Sequence, residues 1–295
     1  MATFLGINLF ALSGQLLVGL INGSFYALLS LGLAIIFGLL KIINFAQGAM
    51  YMLGAFFAWM ALNYMGLNYW VALILVPIAV GLIAILIERF LVRPIANEDH
   101  LYSLLLTFGI ALILQGLFTH IYGSSGLPYQ IPAELKGGTK LPFMYLPNYR
   151  AWIIVSSLIV CVGTWWVIEK TKLGAYLRAG TENPQLMQGF GINVPLITTL
   201  TFGFGVALAG FAGVLAAPVY SVSPEMGSNI LIVVFAIVVI GGMGSIGGAI
   251  LTGLLMGVVE GLTKFFYPEA STTVIFLFMV IVLLIKPAGL FGKEA

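Results

Sequence analysis

Nine apolar runs, most of them close to membrane-spanning length, constrain this chain more than any other feature. They cover Leu12–Leu39, Gly48–Tyr64, Tyr69–Leu91, Leu101–Tyr122, Ala151–Ile168, Leu196–Val219, Asn229–Gly242, Ala249–Phe266 and Thr272–Ile285. A helix needs about 20 apolar residues to cross the hydrocarbon core of a bilayer. Only 7% of the 295 residues are charged and 61% are hydrophobic, whereas soluble domains carry about 25% charged residues. Lipid must therefore be the solvent for most of the surface. The expected fold is an all-α polytopic membrane protein, a single transmembrane domain over residues 1–295 with eight to nine transmembrane helices.

Two of the runs are irregular. The first is interrupted by Asn22-Gly23, which predicts a tilted or broken helix. The seventh is short and leads into Gly241-Gly-Met-Gly-Ser-Ile-Gly-Gly248, which predicts a re-entrant or broken segment. Such backbone is tolerated at membrane depth only beside protein or a water-filled cavity. Ile42–Leu62 and Ile240–Val259 each pair a glycine-containing polar break with a small-residue-rich span. This echo suggests an internal repeat, a common plan among transporters.

Lysine and arginine positions set the orientation. With the C-terminus cytoplasmic, Lys41, Arg89, Arg93, Lys170, Lys172, Arg178, Lys286 and Lys293 lie inside, and Lys136, Lys140, Arg150 and Lys264 outside. Residues 123–150 then form an external loop whose prolines and glycines disfavour a long helix. Residues 169–194 form the longest cytoplasmic polar stretch. It contains basic and acidic side chains and a helix-sized insert but nothing that could do chemistry, so it reads as a docking handle for a soluble partner. The N-terminus lacks a basic n-region and reads as retained chain.

Several function classes are excluded. A net charge of +2 is too small to point to nucleic acid. The single cysteine, Cys161, can build neither a disulfide framework nor a thiolate metal site. His100 and His120 fall near opposite ends of one span, no catalytic or metal motif is present, and the phosphate-binding glycine loop of ATPases is missing. We expect no catalytic residues, metal or cofactor in this chain.

Polar residues within apolar spans cost free energy and are candidates for function. Asn22, Ser24 and Tyr26, with Asn44 and Gln47 at the first chain reversal, could line a substrate pathway using amides and hydroxyls, or could form a structural turn and helix cap. Thr107 and Gln115 lie two turns apart on one face and are further pathway candidates. Glu260 is the one carboxylate near a helix interior, where either snorkelling or proton relay would account for it. Gly253, Gly257 and Gly261, four residues apart, make a flat stripe for close helix packing, either within the chain or as a subunit interface.

Taken together, Asn22-Gly-Ser-Phe-Tyr-Ala-Leu, Ile43-Asn-Phe-Ala-Gln-Gly-Ala-Met-Tyr-Met-Leu-Gly54, Arg93-Pro94, Thr107-Phe-Gly-Ile-Ala-Leu-Ile-Leu-Gln115, Glu182-Asn-Pro184 with Gly191-Ile-Asn-Val194, the Gly241–Gly248 run and Lys286-Pro-Ala-Gly-Leu-Phe-Gly292 resemble the LivH-type permease of branched-chain amino-acid ABC importers. The blocks span nearly the whole chain in the expected order. The resemblance implies a bacterial inner-membrane importer with a related second permease as a heterodimer, two separate ATPase subunits that bind ATP and Mg, and a periplasmic solute-binding protein. It places the ATPase-coupling helix in this chain's cytoplasmic loop, with Gly174, Arg178, Ala179, Glu182, Asn183, Pro184 and Gly191 as coupling residues. Asn183-Pro184 suits a helix start, because a proline in the first turn loses no hydrogen bond.

The chain departs from the family pattern at Gln47, where histidine is common, at Leu186 and Met187, where alanines are common, and at Gly247, where proline is frequent. These departures leave the solute open between branched-chain amino acids, urea-like amides and small organic acids. A self-contained secondary transporter is the competing class.

Overall fold

The computed structural model describes residues 3–4, 7–40, 42–95, 98–141 and 144–292. Two short strands, β1 (Thr3–Phe4) and β2 (Ile7–Asn8), pair ahead of α1 (Leu9–Leu40), α2 (Gln47–Met65) and α3 (Tyr69–Ile87). A π-turn at Glu88–Val92 and a 3-10 turn at Arg93–Ile95 lead to α4 (His100–Tyr122). The strands β3 (Gly138–Leu141) and β4 (Met144–Pro147) precede α5 (Asn148–Lys170), α6 (Lys172–Glu182) and α7 (Pro184–Gly189). Then come α8 (Val194–Ala216), α9 (Met226–Gly241), α10 (Ile246–Phe266) and α11 (Thr273–Ile285).

Each of the nine apolar runs falls on one of these helices. Among the described residues, six helical segments are long and apolar enough to cross a membrane: Phe10–Gly38, Tyr69–Ile95, Leu101–Tyr122, Asn148–Lys170, Val194–Ala216 and Ile246–Phe266. Met226–Gly241 and Thr273–Ile285 are apolar but shorter.

The structure differs from expectation at two places. First, α1 runs unbroken through Asn22-Gly23. The Asn22 amide donates to a side chain on α10, so the asparagine is used between helices where a local break was expected. Second, the all-α expectation misses the small ladders. Within the loop at 123–150, β3 and β4 pair antiparallel, Thr139 opposite Leu146 and Lys140 opposite Tyr145, and Gly137 enters the hairpin with φ +90°.

The chain forms two compact units. One comprises Leu31–Gln130 and Val162–Ile232. In it α8 packs on α2 and α3 through small residues: Ala55, Ala58, Ala72, Ala84, Ala209 and Ala212 are all fully buried. A methyl group on Gly54 would lie 2.7 Å from the Cα of Gly210. Close backbone approach of this kind gives membrane helices their van der Waals attraction, since lipid offers no hydrophobic drive between them. Phe56 meets Phe118 with ring centroids 4.6 Å apart and Tyr122 at 5.2 Å, joining α2 to α4.

The other unit comprises Met1–Ser30, Ile131–Cys161 and Val233–Ala295. Here α10 lies on the first part of α1. A methyl on Gly253 would sit 2.6 Å from the amide nitrogen of Ala27, and one on Gly261 2.6 Å from the carbonyl of Gln15. Gly257 meets the backbone of Gly19 and Gly23. The turn between α9 and α10 uses Gly242 (φ +100°) and Gly244 (φ +92°). The chain near its end is stitched to that turn: Leu290 N–H donates to the Ile240 carbonyl at 2.8 Å and Phe291 N–H to Gly241 at 3.1 Å. These are carbonyls that a helix C-terminus leaves without internal partners.

Candidate functional site

The first polar cluster sits where α1 gives way to α2. Asn44 and Gln47 are buried and bonded to each other, Asn44 Nδ2 donating to Gln47 Oε1 at 3.3 Å. Asn44 Oδ1 accepts the Ala46 N–H at 3.0 Å, and Gln47 Nε2 donates to the Gly205 carbonyl of α8 at 3.1 Å. Thr107 of α4 completes the group. Its hydroxyl accepts the Phe45 N–H at 3.1 Å and lies 3.2 Å from the Ile43 carbonyl. Asn44 and Gln47 bond to each other and Thr107 bonds to the backbone beside them, a knot that secures the reversal against α4 and α8.

Beside this knot, in the same unit, is a cleft of about 70 Å³ lined by Phe45, Ala49, Met52, Phe108, Ala111, Leu112, Gln115, Pro224, Gly227, Ser228 and Leu231. Of the sequence-selected pathway residues only Gln115 lines it. Its wall is apolar with two polar side chains, the composition of a small-molecule site, but ligand pockets usually enclose about 300–1,000 Å³. The cleft would have to widen to admit an amino acid. Phe45 and Phe108, edge to face with centroids 6.3 Å apart, form its aromatic corner.

The second polar cluster lies in the other unit. Tyr26 donates its hydroxyl to Glu260 Oε2 at 2.7 Å, and Asn22 donates to Oε1 at 3.4 Å. Ser24 turns inward and bonds to the Leu20 carbonyl of its own helix at 2.9 Å, so it does not join the group. Gly253, Gly257 and Gly261 lie on the same helix as Glu260 and form the packing seam already described.

The polar stretch between α5 and α8 is two short helices. Gly174 lies against the Ile168 carbonyl, where no side chain fits. Arg178 bonds to that carbonyl at 3.2 Å and pairs with Glu169 at 3.6 Å, which fixes α6 against the end of α5. Ala179 is half-buried. The side chains of Glu182 and Pro184 lie outside the described residues, as do Lys41 and Lys293. Asn183 Oδ1 accepts the Leu186 N–H at 2.9 Å, capping α7, and Gly191 (φ +79°) closes it. Met187 points inward, while Leu186 (57% exposed) and Phe190 (73%) point out.

Sequence reasoning missed Glu88. It is 2% exposed and ion-paired with Arg93; Arg93 also donates to the Pro195 carbonyl at 3.0 Å and to Thr199. The five-residue spacing hid the pair, because side chains on an α-helix meet at three or four. Only the π-turn, with its i to i+5 hydrogen bonding, brings residues five apart into line.

Comparisons with known proteins place relatives beside this chain. A family described as branched-chain amino acid transport system / permease component matches residues 15–285. The chain is 32% identical over 292 residues to the high-affinity branched-chain amino acid transport system permease protein BraD of Pseudomonas aeruginosa, covering 95% of both chains. It is 31% identical over 298 residues to the permease protein LivH of Escherichia coli K12, again covering 95% of both. It is 30% identical over 290 residues to LivM of the same organism, covering 90% of this chain and 67% of that one. No solved structure matches. The chain belongs to the branched-chain amino-acid transport-system permease family.

Proposed function

We propose that this chain is a permease subunit of an ATP-driven importer for branched-chain amino acids in the bacterial inner membrane. It works with a related second permease, two ATPase subunits and a periplasmic binding protein. Its C-terminus and the stretch 169–194 face the cytoplasm, the loop 123–150 faces outward, and eight to nine helices span the bilayer. The glycine turn between α9 and α10 is the broken segment, and the two polar breaks belong to a degenerate repeat. ATP and Mg bind the partner ATPases, not this chain.

The observation that carries this reading is α7. A six-residue helix is too short to be stable alone in water, yet this one is capped at both ends and offers Leu186 and Phe190 outward. Exposed apolar pairs on a braced element suit a protein partner. Because α8 starts at Val194, just beyond α7, ATPase closure felt at α7 reaches a spanning helix through four residues. In this reading Gly174, Arg178, Ala179, Glu182, Asn183, Pro184 and Gly191 shape and aim the docking element. Gln115 borders the apolar cleft, a fitting place for an aliphatic side chain, and Asn22 and Tyr26 are pathway residues of their own unit. Asn44, Gln47 and Thr107 hold the neighbouring turn in place.

Reconstitution of the chain with its second permease, ATPases and binding protein in proteoliposomes tests the proposal. ATP-dependent leucine, isoleucine or valine uptake that fails when Leu186 and Phe190 are both changed to serine, with the permease still inserted, supports it. Uptake by this polypeptide alone, without ATPases, would refute it.

A further inference from the structure

Glu260 is unusual among the carboxylates of this chain. Among the described residues, the two acidic side chains in other spanning helices each have a cation: Glu88 has Arg93 and Glu169 has Arg178. Among the described residues Glu260 has no cationic group within ion-pair distance, and the Tyr26 hydroxyl and the Asn22 amide hold it. It sits six residues inside the C-terminal end of α10, about 9 Å along the helix axis. A charge at that depth is costly and in membrane proteins nearly always serves a pathway or a partner. Helix packing does not require it, because the glycines at 253, 257 and 261 already bring α10 onto α1 by backbone contact.

Acceptor positions remain open on and near this carboxylate. An ionised carboxylate offers about four acceptor positions; the two contacts above use two, and the residue remains half-exposed. On the same face of α1 as Asn22 and Tyr26, two turns toward its start, Gln15 Oε1 is buried and has no hydrogen-bond partner among the described residues. A stripe of unmet acceptors around one negative charge calls for a small cation with several N–H donors, and a primary ammonium, with three, meets that need.

We propose that Glu260, framed by Asn22 and Tyr26, receives the ammonium group of the solute as it passes through this unit. This inference rests on the amino-acid permease reading above and adds how the path tells a zwitterion from an uncharged or purely anionic molecule of the same shape. Amides and hydroxyls alone would pass both.

The test is equilibrium binding to the complete complex in lipid nanodiscs, with leucine and 2-hydroxy-4-methylpentanoate as probes. The second keeps the carboxylate and side chain of leucine and lacks the ammonium. The unaltered complex should prefer leucine by about tenfold or more, as expected for a hydrogen bond to a charged group. Glu260→Gln, which retains an acceptor for Tyr26 and nearly the same volume, should erase the preference by weakening leucine alone. Tyr26→Phe, which keeps the charge and frees an acceptor, should retain it. An unchanged preference in Glu260→Gln overturns the site, as does loss of the preference in Tyr26→Phe. If the unaltered complex imports leucine but binds both probes equally, the site falls and the permease reading stands. If it imports no amino acid when given its binding protein, both fall.

Discussion

Arg93 grips Glu88 at two points, Nε to Oε1 at 3.2 Å and Nη2 to Oε2 at 3.1 Å, across a π-turn. The same guanidinium reaches the Pro195 carbonyl in the first turn of α8, so one side chain joins the end of α3 to the start of the helix that follows α7. Arg93→Ala strands a buried carboxylate. It should lower stability by about 3 kcal/mol, the lower end for a broken buried pair, because the guanidinium is partly exposed. Arg93→Lys should fall between, since an ammonium cannot keep the two-point geometry. Thermal unfolding in detergent micelles measures both.

The seam between α1 and α10 predicts a sharp contrast between glycines. A methyl at Gly257 would overlap the backbone of Gly23, whereas one at Gly116 meets nothing within 4 Å. Gly257→Ala should therefore cost about 1–3 kcal/mol or more through overpacking and reduce folded yield. Gly116→Ala, inside α4, should be neutral or stabilise by up to about 1 kcal/mol. Fluorescence-detected gel filtration of the two variants compares them directly.

The cap on α7 should matter for coupling more than for stability. Asn183→Ala removes the bond to the Leu186 N–H and should cost the helix about 1 kcal/mol, while Asn183→Ser should retain most of it. Arg178→Ala breaks an exposed pair worth at most about 1 kcal/mol and should leave insertion intact. Both alanine variants should lower ATPase co-purification and ligand-stimulated ATP turnover. Normal turnover in both would show that α7 and its bracing do not carry the power stroke.

Tyr129 offers a stability gain. Its hydroxyl is buried with no hydrogen-bond partner among the described residues, and burial, helped by the neighbouring Tyr69, pushes its pKa up to about 12 from 10.0. The folded state therefore favours the protonated phenol. That contribution is intact below pH 10 and is lost as pH rises toward 12. Tyr129→Phe should be neutral or stabilise by up to about 1 kcal/mol at pH 7, and should remove this part of the alkaline loss. Unfolding temperatures at pH 7 and pH 11 test both statements.

The helices were legible in the sequence because hydropathy is a local, additive property. The apolar runs became helices, and the Asn183-Pro184 start of α7, in the loop the family resemblance pointed to, agrees with capping chemistry. What the sequence hid depends on which helices become neighbours. Asn22 looked like a break until Glu260, 238 residues away, supplied a partner for its amide. Asn44 and Gln47 read either as pathway residues or as a structural turn, and the bond from Gln47 to the Gly205 carbonyl of α8, 158 residues away, could not be read from local spacing. The β3–β4 hairpin lay under a loop composition that excludes long helices and is silent about short strands. Glu88 and Arg93 were out of register for any α-helical spacing and met only where the helix widened.

The hydrogen bonds from Leu290 and Phe291 to the end of α9 have a practical consequence for anyone handling this protein. Leu290 and Phe291 act as a clasp. A purification tag or fluorescent fusion should begin past Gly292, because a truncation that removes those two amides would leave the glycine turn unfastened and blur the entry to α10.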